Sequence, residues 1–176
     1  MRKGSVLFVA LLLPVLIFLL LRIFGKNEFS LPVFHEQEIT VRPSSCDQHY
    51  TFPYRVPHTS AVDLAGVTVI IFSAGLQERQ LEESVFQLSR LKDRFMSHSV
   101  STIWVDTNAS HLADWGISPL ILDSAAYDRE VKCVYLLQSN TMVLVDSKRQ
   151  IRGYYQDAAQ KETDRLIMEL KILLDY

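Results

Sequence analysis

TMVLVDSKRQIRGYY, residues 141–155, holds two short runs rich in β-branched and aromatic residues, separated by four polar ones, Asp146 to Arg149. β-Branched and aromatic side chains dominate both runs, so each reads as a strand. A link this short cannot be a crossover, so Thr141–Val145 and Gln150–Tyr155 are predicted to form an antiparallel hairpin. Downstream, Asp157 and Gln160 suit a capping-box-like start, and Leu166, Leu170, Leu173 and Leu174 form an apolar stripe, so the chain closes with a helix. Upstream, Val67 to Phe72 (VTVIIF) is nearly continuous and β-branched, as expected of a strand buried on both faces. Ser73-Ala74-Gly75 breaks it. Leu81, Val85, Leu88, Leu91 and Phe95 then recur at helical spacing, with acids early and bases late in the segment. Val100 to Val105 reads as a second strand, which completes a βαβ unit with a parallel pair.

Pro119 to Leu122 suggests a further short strand, and Ser124 to Leu137 fits neither period. The order βαβ, an irregular middle, then ββα predicts an α/β, thioredoxin-like fold: a mixed sheet flanked by helices. The expected divisions are an anchor at residues 1–26, a spacer at 27–65 and the domain at 66–176. The spacer carries Pro32, Pro43, Pro53 and Pro57 and no sustained period. Within it Tyr50, Phe52 and Tyr54 alternate, which predicts a short strand laying one face on the domain.

The N-terminal block decides the placement. Val6 to Leu21 reads VLFVALLLPVLIFLLL, without a polar side chain. As a helix it spans about 24 Å, and Ile23 and Phe24 extend it toward the roughly 30 Å of a hydrocarbon core. A cleaved signal peptide is the competing reading. It calls for small residues at a cleavage site, and Leu21-Arg22-Ile23-Phe24-Gly25-Lys26 offers no such pattern. A single uncleaved transmembrane helix is therefore expected. Arg2 and Lys3 before it and Arg22 and Lys26 after it balance, so charge sets no orientation. Net charge is −2, with no clustered Lys and Arg, which argues against a nucleic-acid partner.

The stretch TMVLVDSKRQIRGYY, followed by DRLIMELKILL at residues 164–174, resembles the C-terminal part of the Sco/SenC family. Phe52-Pro53, Leu64-Ala65-Gly66 and the anchor fit the same pattern. Members of that family are membrane-anchored, thioredoxin-like proteins that deliver copper to cytochrome c oxidase. The resemblance implies an extracytoplasmic, periplasmic domain on a single-pass anchor and a role in oxidase assembly. It also implies copper held by a Cys-x-x-x-Cys motif after the first domain strand and by a His before the later one. Here that loop reads Ser73-Ala74-Gly75-Leu76-Gln77-Glu78-Arg79-Gln80, and Gln138-Ser139-Asn140 stands in place of the His. Copper(I) needs soft sulfur or imidazole ligands, so no cofactor is expected. Dithiol redox chemistry likewise needs a thiolate at a helix start.

Cys46 and Cys133 are the only cysteines. They could form a disulfide outside the cytoplasm, or Cys133 could be a small buried hydrophobe and Cys46 a free surface thiol. Cys46 and His49, with His35 and His58 nearby, could hold a metal. Surface histidines and a lone thiol account for them more simply. His98 and His111 have no nucleophile partner, and Ser73 lacks a Gly-x-Ser-x-Gly frame. Asp106, Asp114, Asp123 and Asp128 suit turns and helix caps. Asn108-Ala109-Ser110 matches a glycosylation acceptor. Trp104 reads as core, and Trp115 as core edge or docking patch. No catalytic, cofactor or metal site is predicted. Two functions follow. One is a non-catalytic domain that binds proteins of the membrane or periplasm, docking through Ala74–Gln80 and Leu137–Thr141. The other is a residual thiol-disulfide or copper-handling protein that uses Cys46 and Cys133.

Overall fold

A computed structural model describes residues 12–20, 30–39, 46–95, 100–108, 110–139 and 141–174. The chain divides into two units, Met1–Ser30 and Leu31–Tyr176. In the first, residues 12–20 are helical and their side chains exposed. Among the described residues no helix is long and apolar enough to cross a membrane. Both ends of the expected anchor lie outside them.

Among the described residues the second unit is built on five strands: β1 (Val67–Phe72), β2 (Val100–Asp106), β3 (Leu120–Ile121), β4 (Met142–Val145) and β5 (Ile151–Tyr155). Their order across the sheet is β3-β2-β1-β4-β5. β1, β2 and β3 run parallel, while β4 is antiparallel to β1 and β5 to β4. Helices α1 (Glu78–Arg94), α2 (Ser110–Ala113), α3 (Ser124–Arg129) and α4 (Gln160–Leu174) complete it. This is the thioredoxin-like arrangement, with the hairpin and the βαβ unit in the expected places.

β1 is buried along its whole length, because each of its faces meets a separate apolar layer. On one side Val67, Val69 and Ile71 pack with Leu81, Leu88 and Leu91 of α1 and with Leu166 and Leu170 of α4. A fully buried aliphatic side chain contributes about 1.5 to 3 kcal/mol, so these two apolar stripes fix both helices to this face. On the other side Ile70 and Phe72 pack with Tyr50, Tyr54, Val56, Val62 and Tyr135.

That second layer departs from the expected organisation. Residues 46–64 fall in the expected spacer, yet they lie inside the unit that begins at Leu31, and Tyr50, Tyr54, Val56 and Val62 are part of its core. After β2, where α2 has a single turn, this face is packed by α3 and the coil that follows it, through Tyr127, Val131, Val134 and Tyr135. Tyr50, Tyr54, Val56 and Val62 complete the cover from the segment before β1. The strand expected at Tyr50–Tyr54 is not formed. Tyr50 and Tyr54 point inward, but Phe52 is 45% exposed, so the alternation is not that of a strand with one buried face.

The middle segment resolves into α3 followed by a π-helical turn, Glu130–Val134. Asp123 opens α3 by accepting from Ala126 N at 2.8 Å. Tyr135 N then reaches back to Glu130 O at 2.8 Å, and Leu136, at φ 55°, ends the turn. This wider coil is why the segment shows no 3.6-residue period. In the β4–β5 turn the buried Asp146 accepts from Lys148 N and Gln150 N, both at 2.9 Å, and pairs with Arg152 at 3.2 Å.

Candidate functional site

Two places carry chemistry. The first is the mouth of the fold, where β1 and β2 end and α1 begins. Ser73 follows β1 directly and is 2% exposed. Its Oγ donates to Asp106 Oδ2 at 2.5 Å, and Asp106 Oδ1 accepts from Thr107 N at 2.6 Å and Asn108 N at 3.0 Å. Asp106 therefore ends β2 as a buried cap, and Ser73 spends its proton on it. Ala74 N donates to the Tyr127 hydroxyl at 3.2 Å, and burial pushes that phenol up to about 12. Tyr127 stays protonated at neutral pH. Helix α1 opens with Gln77, whose N donates to Gln80 Oε1 at 2.9 Å. A helix start lowers the pKa of a thiol placed there, but this one presents only amides, Glu78 and the exposed Arg79. The mouth is hydrogen-bonded to itself.

The second place is a disulfide. Cys46 and Cys133 are bridged, with Cα atoms 5.6 Å apart and a sequence separation of 87. Of the two alternatives for these cysteines, the free-thiol arrangement is not the one seen. The bridge sits in the apolar layer on the sheet face away from α1, since Cys46 packs with Tyr50, Tyr54 and Val134 there. It is one of several ties. A helix ends with carbonyls that have no partner within the helix. Here three successive ones are met by tyrosine hydroxyls. Tyr50 donates to Cys133 O at 3.0 Å, Tyr54 to Val134 O at 2.6 Å and Tyr154 to Tyr135 O at 2.9 Å. Burial raises the pKa of Tyr54, Tyr135 and Tyr154 far above the usual phenol value. From the front of the turn, Glu130, 2% exposed, accepts from Ser60 Oγ at 2.8 Å and Ala61 N at 3.1 Å. Arg149 donates to Val56 O and Pro57 O, both at 2.7 Å.

The candidate metal ligands are not gathered. Cys46 sulfur is in the bridge, His49 and His58 are exposed, and His35 Nε2 lies 2.9 Å from the Tyr154 hydroxyl. Burial lowers the His35 pKa, partly offset by its bond to the Glu38 backbone. Among the described residues no three of His, Cys, Asp or Glu come together as a metal would need. His98, Ala109 and Asn140 lie outside the described residues, as does the side chain of His111. Asp123 caps α3 and Asp128 pairs with Lys132 at 2.8 Å, as turn and cap residues should, while Asp114 is exposed. Trp104 is core at 7% exposure and Trp115 is 42% exposed. Sequence reasoning missed the tyrosine caps and Glu130. Their trace in the sequence is Tyr50-x-Phe52-x-Tyr54, whose alternation predicts a strand instead.

No protein-family model matches this chain, and no curated protein does. Among solved structures, it is similar to a Bacteroides thetaiotaomicron protein provisionally assigned as a protein disulfide isomerase. That match has 13% identity and a TM-score of 0.47, and covers 63% of this chain and 75% of the other. It is also similar to a Bacteroides vulgatus protein provisionally assigned as a thiol-disulfide oxidoreductase. There the identity is 14% and the TM-score 0.42, with coverage of 60% and 74%.

Proposed function

We propose that this chain is a membrane-anchored, extracytoplasmic thioredoxin-like domain that acts by binding proteins and not by thiol-disulfide exchange. One observation carries the reading: the sulfur is in the wrong place for exchange. Exchange needs a thiolate that a helix start can activate and an incoming thiol can reach. The start of α1 has no sulfur, and the cystine lies on the other face of the sheet, with Cys133 8% exposed beneath its tyrosine ties. A bridge of this kind supports placement in an oxidising compartment. The apolar run from Val6 to Leu21 supports the anchor. Respiratory oxidase assembly as the setting rests on the Sco/SenC resemblance of residues 141–174 alone, and copper delivery is left out because the motif positions hold Gln, Glu and Ser.

The alternative, exchange through Cys46 and Cys133, is favoured by their being joined at all. One assay separates the two. The full chain in mild detergent is incubated with glutathione redox buffers and with an oxidised protein substrate. A structural bridge has a potential below about −300 mV, so it stays oxidised at a glutathione poise near −220 mV and no turnover is seen. Turnover lost on replacing Cys46 and Cys133 would overturn the binding role.

A further inference from the structure

Strand β2 is longer than the strand that covers its outer side. Its inner side pairs with β1 from Val100 to Val105. On the outer side β3 pairs only Val105 with Leu120 and Asp106 with Ile121. Two hydrogen bonds fix which backbone groups are left over. Val105 O accepts from Ser73 N at 3.0 Å, so Val105 faces β1, and Asp106 O accepts from Leu122 N at 2.9 Å, so Asp106 faces β3. The N–H and C=O of one strand residue point to the same side, and successive residues alternate. Counting back by twos, Thr102 and Val100 turn both groups outward, past the end of β3. Among the described residues no strand pairs with them.

A groove of about 740 Å³ runs along this edge, between α1 and the turn that follows α2. Its apolar lining includes Leu88, Phe95, Trp104, Trp115 and Ile117, and its one charged residue is Lys92. Lys92 is exposed, and among the described residues it forms no ion pair. Open edges are ordinarily guarded by charge, proline or a bulge. Val100-Ser101-Thr102-Ile103-Trp104 has no charge and no proline, and its register with β1 is unbroken. A free ladder beside an apolar trough has both parts of strand-addition recognition. The main chain supplies affinity, and the trough takes alternate side chains.

We propose that the Val100–Trp104 edge of β2 takes up an extended, largely apolar peptide segment of a protein partner as an added strand, with an acidic side chain of that segment set against Lys92. This rests on the binding role above and names its surface. The test is a titration of the isotope-labelled full chain, in detergent micelles, followed by amide NMR. The probe is a seven-residue peptide, acetylated and amidated, that alternates valine with threonine and carries one glutamate. Shifts are expected at Val100–Trp104 and at the Trp115 indole, with exchange of the Thr102 amide slowed at least about tenfold. The same peptide methylated on alternate backbone nitrogens binds at least about tenfold more weakly, because it cannot complete the ladder. Thr102→Pro has the same effect with the fold retained, since the N–H it removes faces away from β1. Lys92→Glu weakens binding, and exchanging the peptide's glutamate for lysine restores it. Absent shifts, shifts centred on Ser73–Gln80, undiminished binding of the methylated peptide, or an edge already occupied by a second copy of the chain would each overturn the proposal. The two readings fail separately. Turnover in glutathione buffer removes the binding role without moving these shifts, and a silent titration removes the edge while leaving the glutathione result unchanged.

Discussion

Replacing both cysteines, Cys46→Ala with Cys133→Ala, should cost most of the stability that a domain of this size has to spare. The bridge closes a loop of 87 residues in sequence separation. In the chain-entropy account, removing such a closure frees the unfolded chain by about 4 to 5 kcal/mol. The folded state should change little, because the tyrosine caps on Cys133 O and Val134 O and the Glu130 bonds to Ser60 and Ala61 hold the same segments together. The loss therefore acts through the unfolded state. Urea unfolding of the full chain in detergent, followed by fluorescence of the buried Trp104, reads it directly. With a slope of about 2 kcal/mol per molar, the midpoint should fall by about 2 M. Near-ultraviolet circular dichroism of the variant should match the parent before the transition. A midpoint lowered by less than about 0.5 M would refute the argument, as would two thiols reacting in the denatured, unreduced parent.

Three further outcomes follow from other contacts. Glu130→Ala takes the acceptor from the Ala61 amide and leaves the Ser60 hydroxyl to the Tyr135 hydroxyl at 3.0 Å, and should cost about 2 to 3 kcal/mol in the same unfolding assay, with Glu130→Gln costing less; a loss under about 1 kcal/mol sinks the idea. Gly153→Ala would set a methyl 2.5 Å from the Tyr155 hydroxyl and 3.0 Å from Glu169 Oε2, so the melting midpoint should drop with a loss of about 1 to 3 kcal/mol; an unchanged midpoint would mean that the tyrosine and its bond to Glu169 give way freely. Alkaline titration tests the raised phenols. A phenol whose folded pKa lies above its unfolded value of about 10 stabilises fully below pH 10, and that stability is lost as pH climbs toward the folded value. For Tyr127 the window ends at about 12, and for Tyr54, Tyr135, Tyr154 and Tyr155 it extends higher. Phenolate absorbance from these five should therefore arrive together with loss of circular dichroism. Reversible ionisation of all seven tyrosines near pH 10 in a folded chain would contradict it.

The sheet and its main helices were legible because each has a period or a turn that only one structure satisfies. VTVIIF could be buried on both faces, the stripe from Leu81 to Phe95 could face only one layer, and Asp146 to Arg149 could only turn. The covering segment was not legible. Residues 46–64 are held by hydroxyl-to-carbonyl bonds and one sulfur bridge at isolated positions, and such contacts leave no periodic trace in sequence. Nor does a π turn, whose five-residue reach disguised Glu130–Val134 as irregular. At the mouth, the absence of sulfur could be read directly. That Ser73 and Asp106 satisfy each other could not, because they are 33 residues apart and meet only when β1 and β2 align in register.

The cystine also changes how this chain would respond to being pulled from its N-terminal end. Tension would peel residues 31–39 and then stop at Cys46, where the covalent link passes the load to residue 133 in the middle of the chain. The 87-residue span between them, about 300 Å of contour when drawn out straight, would stay unextended until the bond was reduced. Strands β1, β2 and β3 all lie inside that closed span, so the part of the sheet bearing the open edge is shielded from any force carried along the backbone.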